Sequence, residues 1–220
     1  VVMEQGLTIG ECSERFRACQ SDSSGMLFFP VYEREVSSLG DELRTAMTDN
    51  TWREGCPVDL DGLSLVRILH WNDNAGVQWG EIIVATEEAE NIAAVFQVLY
   101  DNQFPVTSMK PMHHFGGSDD ASMAANNTSA FNCRKVKNSS RYSEHSFGKA
   151  IDVNPQKNPW VRGNSVDPPT GRPYVDRSQG LPGMIIDDDL VVRAFAEKGW
   201  KWGGYWRSLK DYQHFSTSGK

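Results

Sequence analysis

The sequence lacks any apolar run long enough to cross a lipid bilayer. A helical span needs about 20 predominantly apolar residues, and no such run occurs among the 220 residues. The first residues, Val1 to Gln5, also lack the basic and apolar regions of a signal peptide. The sequence therefore predicts no membrane span, and the protein is either intracellular or had a signal removed before Val1.

Clusters of basic residues are missing as well. The formal net charge is −7, and no Lys/Arg cluster offers a face that could follow a phosphate backbone. This argues against a nucleic-acid binder. The hydrophobic content of 39% and the charged content of 23% are typical of a soluble globular protein. There is no internal repeat, and the length fits one domain with an arm.

Cysteines are few, and none forms a CxxC pair. Four cysteines allow three pairings, and the sequence alone does not select one. We expect Cys12–Cys19 and Cys56–Cys133 disulfides, which would suit an oxidising compartment. The alternative is a set of isolated buried thiols.

Apolar periodicity predicts the main elements. Val36, Leu39, Leu43 and Met47 recur at three- and four-residue steps, which predicts an amphipathic helix over residues 33–47. Apolar and β-branched residues predict strands over 63–71 and 80–85, joined by the turn residues 72–76. Thr86 has the character of an N-cap, and the helix after it is expected to end near residue 100.

The second half of the chain is less regular. Residues 113–140 predict a long, ordered loop, which in a compact domain is commonly functional. Residues 155–183 carry many prolines and predict a surface excursion. Asp187–Asp189 predict the start of a helix that ends at Gly199. Helices and strands in this order indicate an α+β domain.

Two short motifs, far apart in the sequence, carry candidate metal ligands. His145 and Asp152 are seven positions apart with Gly148 between them, so we place His145 on a loop and Asp152 on a strand. His214 lies in a short extended segment near the C-terminus. Two imidazoles and one carboxylate leave an open position on zinc for water. Asp211, three residues before His214, supplies a second carboxylate that can act as general base.

These motifs also resemble a known family. Ser143-x-His145-x-x-Gly148-x-Ala150-x-Asp152, followed by Asp211-x-x-His214, is similar to the zinc D-alanyl-D-alanine carboxypeptidases and VanY-type peptidases of the M15 family. Residues 122–134 and 199–204 resemble its carboxypeptidase-like bacterial branch. The resemblance covers roughly residues 50–216. It predicts a peptidase domain over 49–220, preceded by an arm and helix over 1–48 whose role is unknown.

The resemblance implies both the fold and the central site. The fold is a small antiparallel sheet with flanking helices and long loops around a single zinc site, as in the Hedgehog and D-Ala-D-Ala peptidase-like proteins. His145, Asp152 and His214 would bind one Zn²⁺ per chain, and Asp211 would act as general base toward the zinc-bound water. Asp at this position, where some relatives have Glu, implies a shorter reach.

Arg134 is the second catalytic candidate. It would stabilise the oxyanion or hold a substrate carboxylate through a charge-assisted contact. A structural salt bridge is the alternative for this residue, and the sequence leaves the choice open.

Five further residues are candidates for substrate binding. They are Ser122, Asp120, Ser143, Trp202 and Tyr205. A solvated loop is an equal alternative for Asp120 and Ser122. Ser143 can instead orient the His145 loop, and packing alone explains the two aromatic residues equally well.

The predicted function is a zinc peptidase that cuts peptidoglycan stem peptides. It would be either a D,D-carboxypeptidase or an endopeptidase of the L-Ala–D-Glu type. The expected partners are peptidoglycan peptides, with no nucleic acid, and the chain is expected to be a monomer. We expect a secreted, periplasmic or cell-wall location after removal of a signal, with delivery by a phage or as a toxin left open. The alternative is a non-catalytic zinc-binding module for cell-wall or protein partners, but Asp211 favours catalysis because such a module needs no second carboxylate.

Overall fold

The computed structural model describes residues 31–137 and 139–220, and also the backbone of two short strands before them. These strands, β1 (Gln20–Ser21) and β2 (Leu27–Phe28), pair with each other in antiparallel fashion. The predicted Cys12–Cys19 disulfide lies outside the described residues.

A three-stranded antiparallel sheet organises the first half of the described chain. Its order is β3 (Arg34–Ser38), β4 (Leu63–Trp71) and β5 (Val77–Ala85). The β4–β5 hairpin keeps one register over its whole length, from Leu63 opposite Ala85 to Trp71 opposite Val77. The two predicted strands and their hairpin are therefore confirmed.

Two helices complete this half of the molecule. Helix α1 (Asp41–Met47) follows β3, and helix α2 (Ala89–Asp101) follows β5. Helix α2 packs against β4 and is preceded by a 3₁₀ turn, Thr86–Glu88. Strand β6 (Ser108–Met109) then pairs in parallel with β7 (Asn127–Thr128).

Two small antiparallel sheets occupy the second half. One has the order β11 (Lys201–Trp202), β13 (His214–Ser216) and β8 (Ala150–Asp152). The other has the order β10 (Ser165–Asp167), β9 (Trp160–Arg162) and β12 (Lys210–Asp211). Helix α4 (Leu190–Glu197) lies between β10 and β11 in the chain.

One hydrophobic core joins the two halves. The side chains of α2 meet those of α4 and of the second sheet, and Phe195 stacks on Phe215 with ring centroids 4.0 Å apart. Helix α2 buries Ile92, Val95, Phe96 and Leu99 in this core. Ile151 and Val153, which flank Asp152, are fully buried in the same core.

Three local predictions need correction. Residues 34–38 form a strand, so the helix predicted over 33–47 is wrong in its first half; all five strand residues are exposed and pair with β4. The Thr86 hydroxyl accepts a hydrogen bond from Ser64 and does not cap a helix. The region 113–140 is not wholly loop, because it contains helix α3 (Asp119–Ala124), capped by the Ser118 hydroxyl.

Other expectations are confirmed. The Asp189 carboxylate accepts from the backbone N–H of Val192 and so caps α4. Cys56 and Cys133 form a disulfide, and the mixed helices and small antiparallel sheets make the fold α+β. Among the described residues, no helix combines the length and apolar character that crossing a membrane requires. The domain boundary near residue 48 stays a prediction, although β3, which precedes it, belongs to the same sheet as β4.

Candidate metal centre

Strand pairing places two of the three candidate ligands side by side. Strands β8 and β13 are antiparallel, with His214 directly opposite Asp152. The next pair along the ladder, Ile151 and Phe215, points to the other face and is fully buried in the core. Because side chains alternate along a strand, burial of this apolar pair directs His214 and Asp152 to the same side of the sheet.

The third candidate, His145, is held by a tight turn. It lies in the 3₁₀ helix Glu144–Phe147, whose start is capped by the Ser143 hydroxyl, which accepts from the His145 backbone N–H. Gly148 ends the turn in the left-handed conformation, with φ of 66°. A Cβ atom at this position would lie 2.4 Å from the backbone nitrogen of Ala85, so only glycine allows the turn to approach β5 this closely.

Each histidine is oriented by a backbone carbonyl. The Nδ1 of His145 donates to the carbonyl of Ala130 at 2.7 Å, which leaves its Nε2 facing Asp152. His214 has the opposite arrangement, since its Nε2 donates to the carbonyl of Lys220 at 3.0 Å and its Nδ1 faces Asp152. Such contacts fix which ring nitrogen is available to a metal ion.

The distances fit a shared metal ion. His145 Nε2 is 3.2 Å from one Asp152 carboxylate oxygen, and His214 Nδ1 is 3.1 Å from the other. Ligand atoms of the three residues all lie within 4.8 Å of one another. Ligands about 2.0–2.1 Å from a tetrahedral zinc ion are separated by about 3.3 Å, so these residues need little rearrangement to hold one.

A second carboxylate adjoins this group. The carboxylate oxygen Oδ1 of Asp211 is buried and has no hydrogen-bond partner among the described residues. Gly203 allows Asp211 and His214 to come close, because a Cβ atom on it would lie 3.0 Å from Asp211 Cβ and 3.4 Å from His214 Cβ. A buried oxygen without a partner is costly, and a water molecule at the metal would satisfy it.

The electrostatics of the four groups are strongly linked. Burial alone would raise the pKa of Asp152, but the charges and hydrogen bonds of His145 and His214 outweigh it and hold that pKa well below its usual range. Burial would lower the pKa of His214, yet its hydrogen bond with Asp152 and the charge of that carboxylate raise it to about 9. Burial, together with the charge of Asp152, raises the pKa of Asp211 to about 7.

Comparison with known families agrees with this geometry. Residues 137–217 match the family model described as D-alanyl-D-alanine carboxypeptidase, Peptidase_M15_4. This segment of the chain is similar to the M15 peptidase family. The matched segment contains His145, Asp152, Asp211 and His214, so the resemblance noted from the sequence is confirmed. No curated protein and no solved structure matches the chain significantly.

The predicted catalytic residue Arg134 lies beside the turn that carries His145. Its carbonyl accepts from the backbone N–H of Ser143 at 2.9 Å, and its backbone N–H donates to the Ser146 hydroxyl at 3.0 Å. Its guanidinium Nε forms an ion pair with Asp119. The structure therefore contains the salt bridge that was one of the two alternatives for this residue.

The predicted substrate-binding residues are scattered around the site. Ser143 caps the His145 turn, and Asp120 is exposed on α3. Ser122 is 2% exposed, and its hydroxyl accepts from Asn127 in the protein interior. Trp202 and Tyr205 line a cavity of about 250 Å³ that none of the candidate metal ligands borders.

Sequence reasoning missed two supporting residues. The sequence places Asp119, like Asp120 and Ser122, either along the cleft or in a solvated loop, and it does not single out Asn132. The Asn132 side-chain amide donates to Asp119 and to the carbonyl of Gly117, each at 3.0 Å. Their spacing in the sequence carries no periodic signal, so only the fold reveals that they meet.

Proposed function

We propose that this protein is a zinc-dependent peptidase that hydrolyses peptide bonds in peptidoglycan stem peptides. The family match indicates a peptidase. The identity of the metal as zinc and of the substrate as a stem peptide are our proposals. The observation that supports hydrolysis most directly is the buried, unpartnered oxygen of Asp211 beside His145, Asp152 and His214.

The donor set favours zinc. Two imidazole nitrogens and one carboxylate, with no fourth protein ligand grouped with them among the described residues, form the ligand set of a catalytic site with an open position. A zinc ion held there would polarise the scissile carbonyl and lower the pKa of a water molecule to about 7.

Groups of the protein itself would transfer protons, orient the two imidazoles and supply a positive charge. Asp211 takes a proton from the attacking water and can pass it to the leaving amine, a role that suits a buried carboxylate whose Oδ1 has no other partner among the described residues. The carbonyls of Ala130 and Lys220 keep the two imidazoles in fixed orientations. Arg134 supplies a positive charge close to the His145 turn.

The first test compares the wild-type protein with Asp211→Asn, which keeps the size of the side chain but removes its basicity. Both proteins are expected to bind one zinc ion, and hydrolysis of stem peptides by the variant should be slower by about 10²- to 10⁴-fold. Metal content is measured by elemental analysis, and the masses of the fragments identify the bond that is cut.

Asp61→Asn is the matched control, because Asp61 is an exposed carboxylate in a surface ion pair with Arg44. It should leave the rate unchanged. Equal hydrolysis by wild type and Asp211→Asn would contradict the role of Asp211. Zinc binding without cleavage of any stem peptide would instead favour a zinc-binding module.

A further inference from the structure

Asp119 and Arg134 form an ion pair next to the turn that carries the candidate ligand His145. The backbone of Arg134 is bound on both sides to the turn that carries His145, through Ser143 and Ser146. Its Nε is paired with Asp119 on helix α3. The backbone of Arg134 is therefore held by the His145 turn, and its guanidinium is paired with a carboxylate.

The Asp119 carboxylate is itself held in place. One of its oxygens accepts from the Asn132 amide at 3.0 Å, while the other is paired with Arg134. Asn132 is 3% exposed, and its second amide hydrogen is used by the carbonyl of Gly117. These contacts orient the Asp119 carboxylate, and its ion pair in turn restricts the position of the Arg134 side chain.

The outer end of Arg134 is left available. Within the described part of the chain, no residue accepts a hydrogen bond from its two terminal nitrogens, Nη1 and Nη2, and the side chain is 33% exposed. These two N–H groups form the fork that binds a carboxylate in bidentate fashion. The ion pair at Nε, a buried atom that makes no hydrogen bond within the described residues, restricts the guanidinium and so reduces the freedom that it loses on binding.

We propose that Asp119 is a positioning residue that aims Arg134 at a carboxylate of the peptide substrate. This inference rests on the proposed peptidase function and adds a determinant of specificity to it. Two carboxylates of a stem peptide have the required chemistry: the C-terminal carboxylate and the free α-carboxylate of a γ-linked glutamate.

The test uses three stem peptides that differ only in these groups. One carries both carboxylates, one has an amide at the C-terminus, and one has an amide in place of the α-carboxylate of glutamate. For the wild-type protein, loss of the recognised carboxylate should lower kcat/KM by about 10- to 100-fold, mainly through KM. The peptide that shows the loss identifies which carboxylate is bound.

Variants of the pair then separate positioning from simple structural support. Arg134→Gln should remove the preference for the carboxylate peptide. Asp119→Asn should reduce that preference by about 3- to 10-fold, because the ion pair becomes an ordinary polar contact, while Asp119→Glu retains most of it. Asp61→Asn, which breaks a different Asp–Arg pair, should leave it unchanged.

Binding of the same peptides is also measured by calorimetry in an Asp211→Asn background, so that the result does not depend on turnover. Carboxylate-dependent binding that weakens with Asp119→Asn supports the inference even if no peptide is cut, and then only the proposed hydrolysis fails. The inference would be overturned if Asp119→Asn weakened the binding of all three peptides equally, or if binding did not depend on either carboxylate. The proposed function would still stand.

Discussion

Gly148 provides a sharp test of how the His145 turn is built. Its φ of 66° is left-handed, and an added Cβ would lie 2.4 Å from the Ala85 nitrogen and 3.0 Å from the Val84 carbonyl carbon. The Gly148 carbonyl also accepts from the Ala85 N–H at 2.9 Å. Gly148→Ala must therefore adopt an unfavourable backbone conformation and push the turn away from β5.

The expected cost has two parts. A left-handed alanine costs about 1–2 kcal/mol, and displacement of well-packed backbone costs about 1–3 kcal/mol more. Together they lower the free energy of unfolding by about 2–5 kcal/mol, a large fraction of the about 5–15 kcal/mol that is typical of a domain. Because the displaced turn carries His145, the dissociation constant for zinc should rise as well.

Gly116 is a matched control for the conformational part. It ends a 3₁₀ helix of the same length, Met112–Phe115, with φ of 62°, but an added Cβ there meets nothing within 4 Å. Gly116→Ala should cost only about 1–2 kcal/mol. Urea unfolding of both variants, with zinc removed by a chelator, measures the difference. If Gly148→Ala costs no more than Gly116→Ala, the argument from close approach to β5 is refuted.

Three further predictions concern protons and covalent stability. Since the pKa of His214 is raised to about 9, zinc must displace a proton, and its affinity should increase about tenfold from pH 7 to pH 8; a competition titration that shows no pH dependence there would contradict the ligand assignment. In zinc-free protein the charged form of His214 stabilises the fold, so this contribution is complete below the unfolded-state pKa of 6.5 and is lost as pH rises through about 9, which unfolding curves across that range would detect. Replacing Cys56 and Cys133 by alanine opens a disulfide with a sequence separation of 77 residues, and should lower the free energy of unfolding by about 4 kcal/mol; a loss below about 1 kcal/mol would show that the open chain retains compact structure.

The elements that could be predicted from the sequence have strong local patterns. The β4–β5 hairpin has two long apolar strands around a turn-forming segment, and α2 has a clear apolar face. Both patterns agree with the tertiary packing, so local preference and global fold give the same answer.

The failures occur where tertiary contacts override a short pattern. Val36, Leu39 and Met47 are spaced as on a helix, but Leu39 and Met47 are buried while Val36 is 36% exposed. Pairing of residues 34–38 with β4 satisfies the backbone groups on one side of this edge strand, and that gain exceeds a weak helical preference. Helix α3 has only six residues within a stretch rich in polar residues, too short for periodicity to show.

The candidate site combines both kinds of information. Its ligands could be proposed from two motifs, but the sequence does not contain the register that brings them together. That register is fixed in the core, where Phe215 faces Ile151 and stacks on Phe195. A slip of one residue would place Phe215 or Gln213 opposite Asp152 and turn His214 to the other face. The apolar residue next to His214 therefore holds the candidate metal ligands in position as directly as any polar contact at the site.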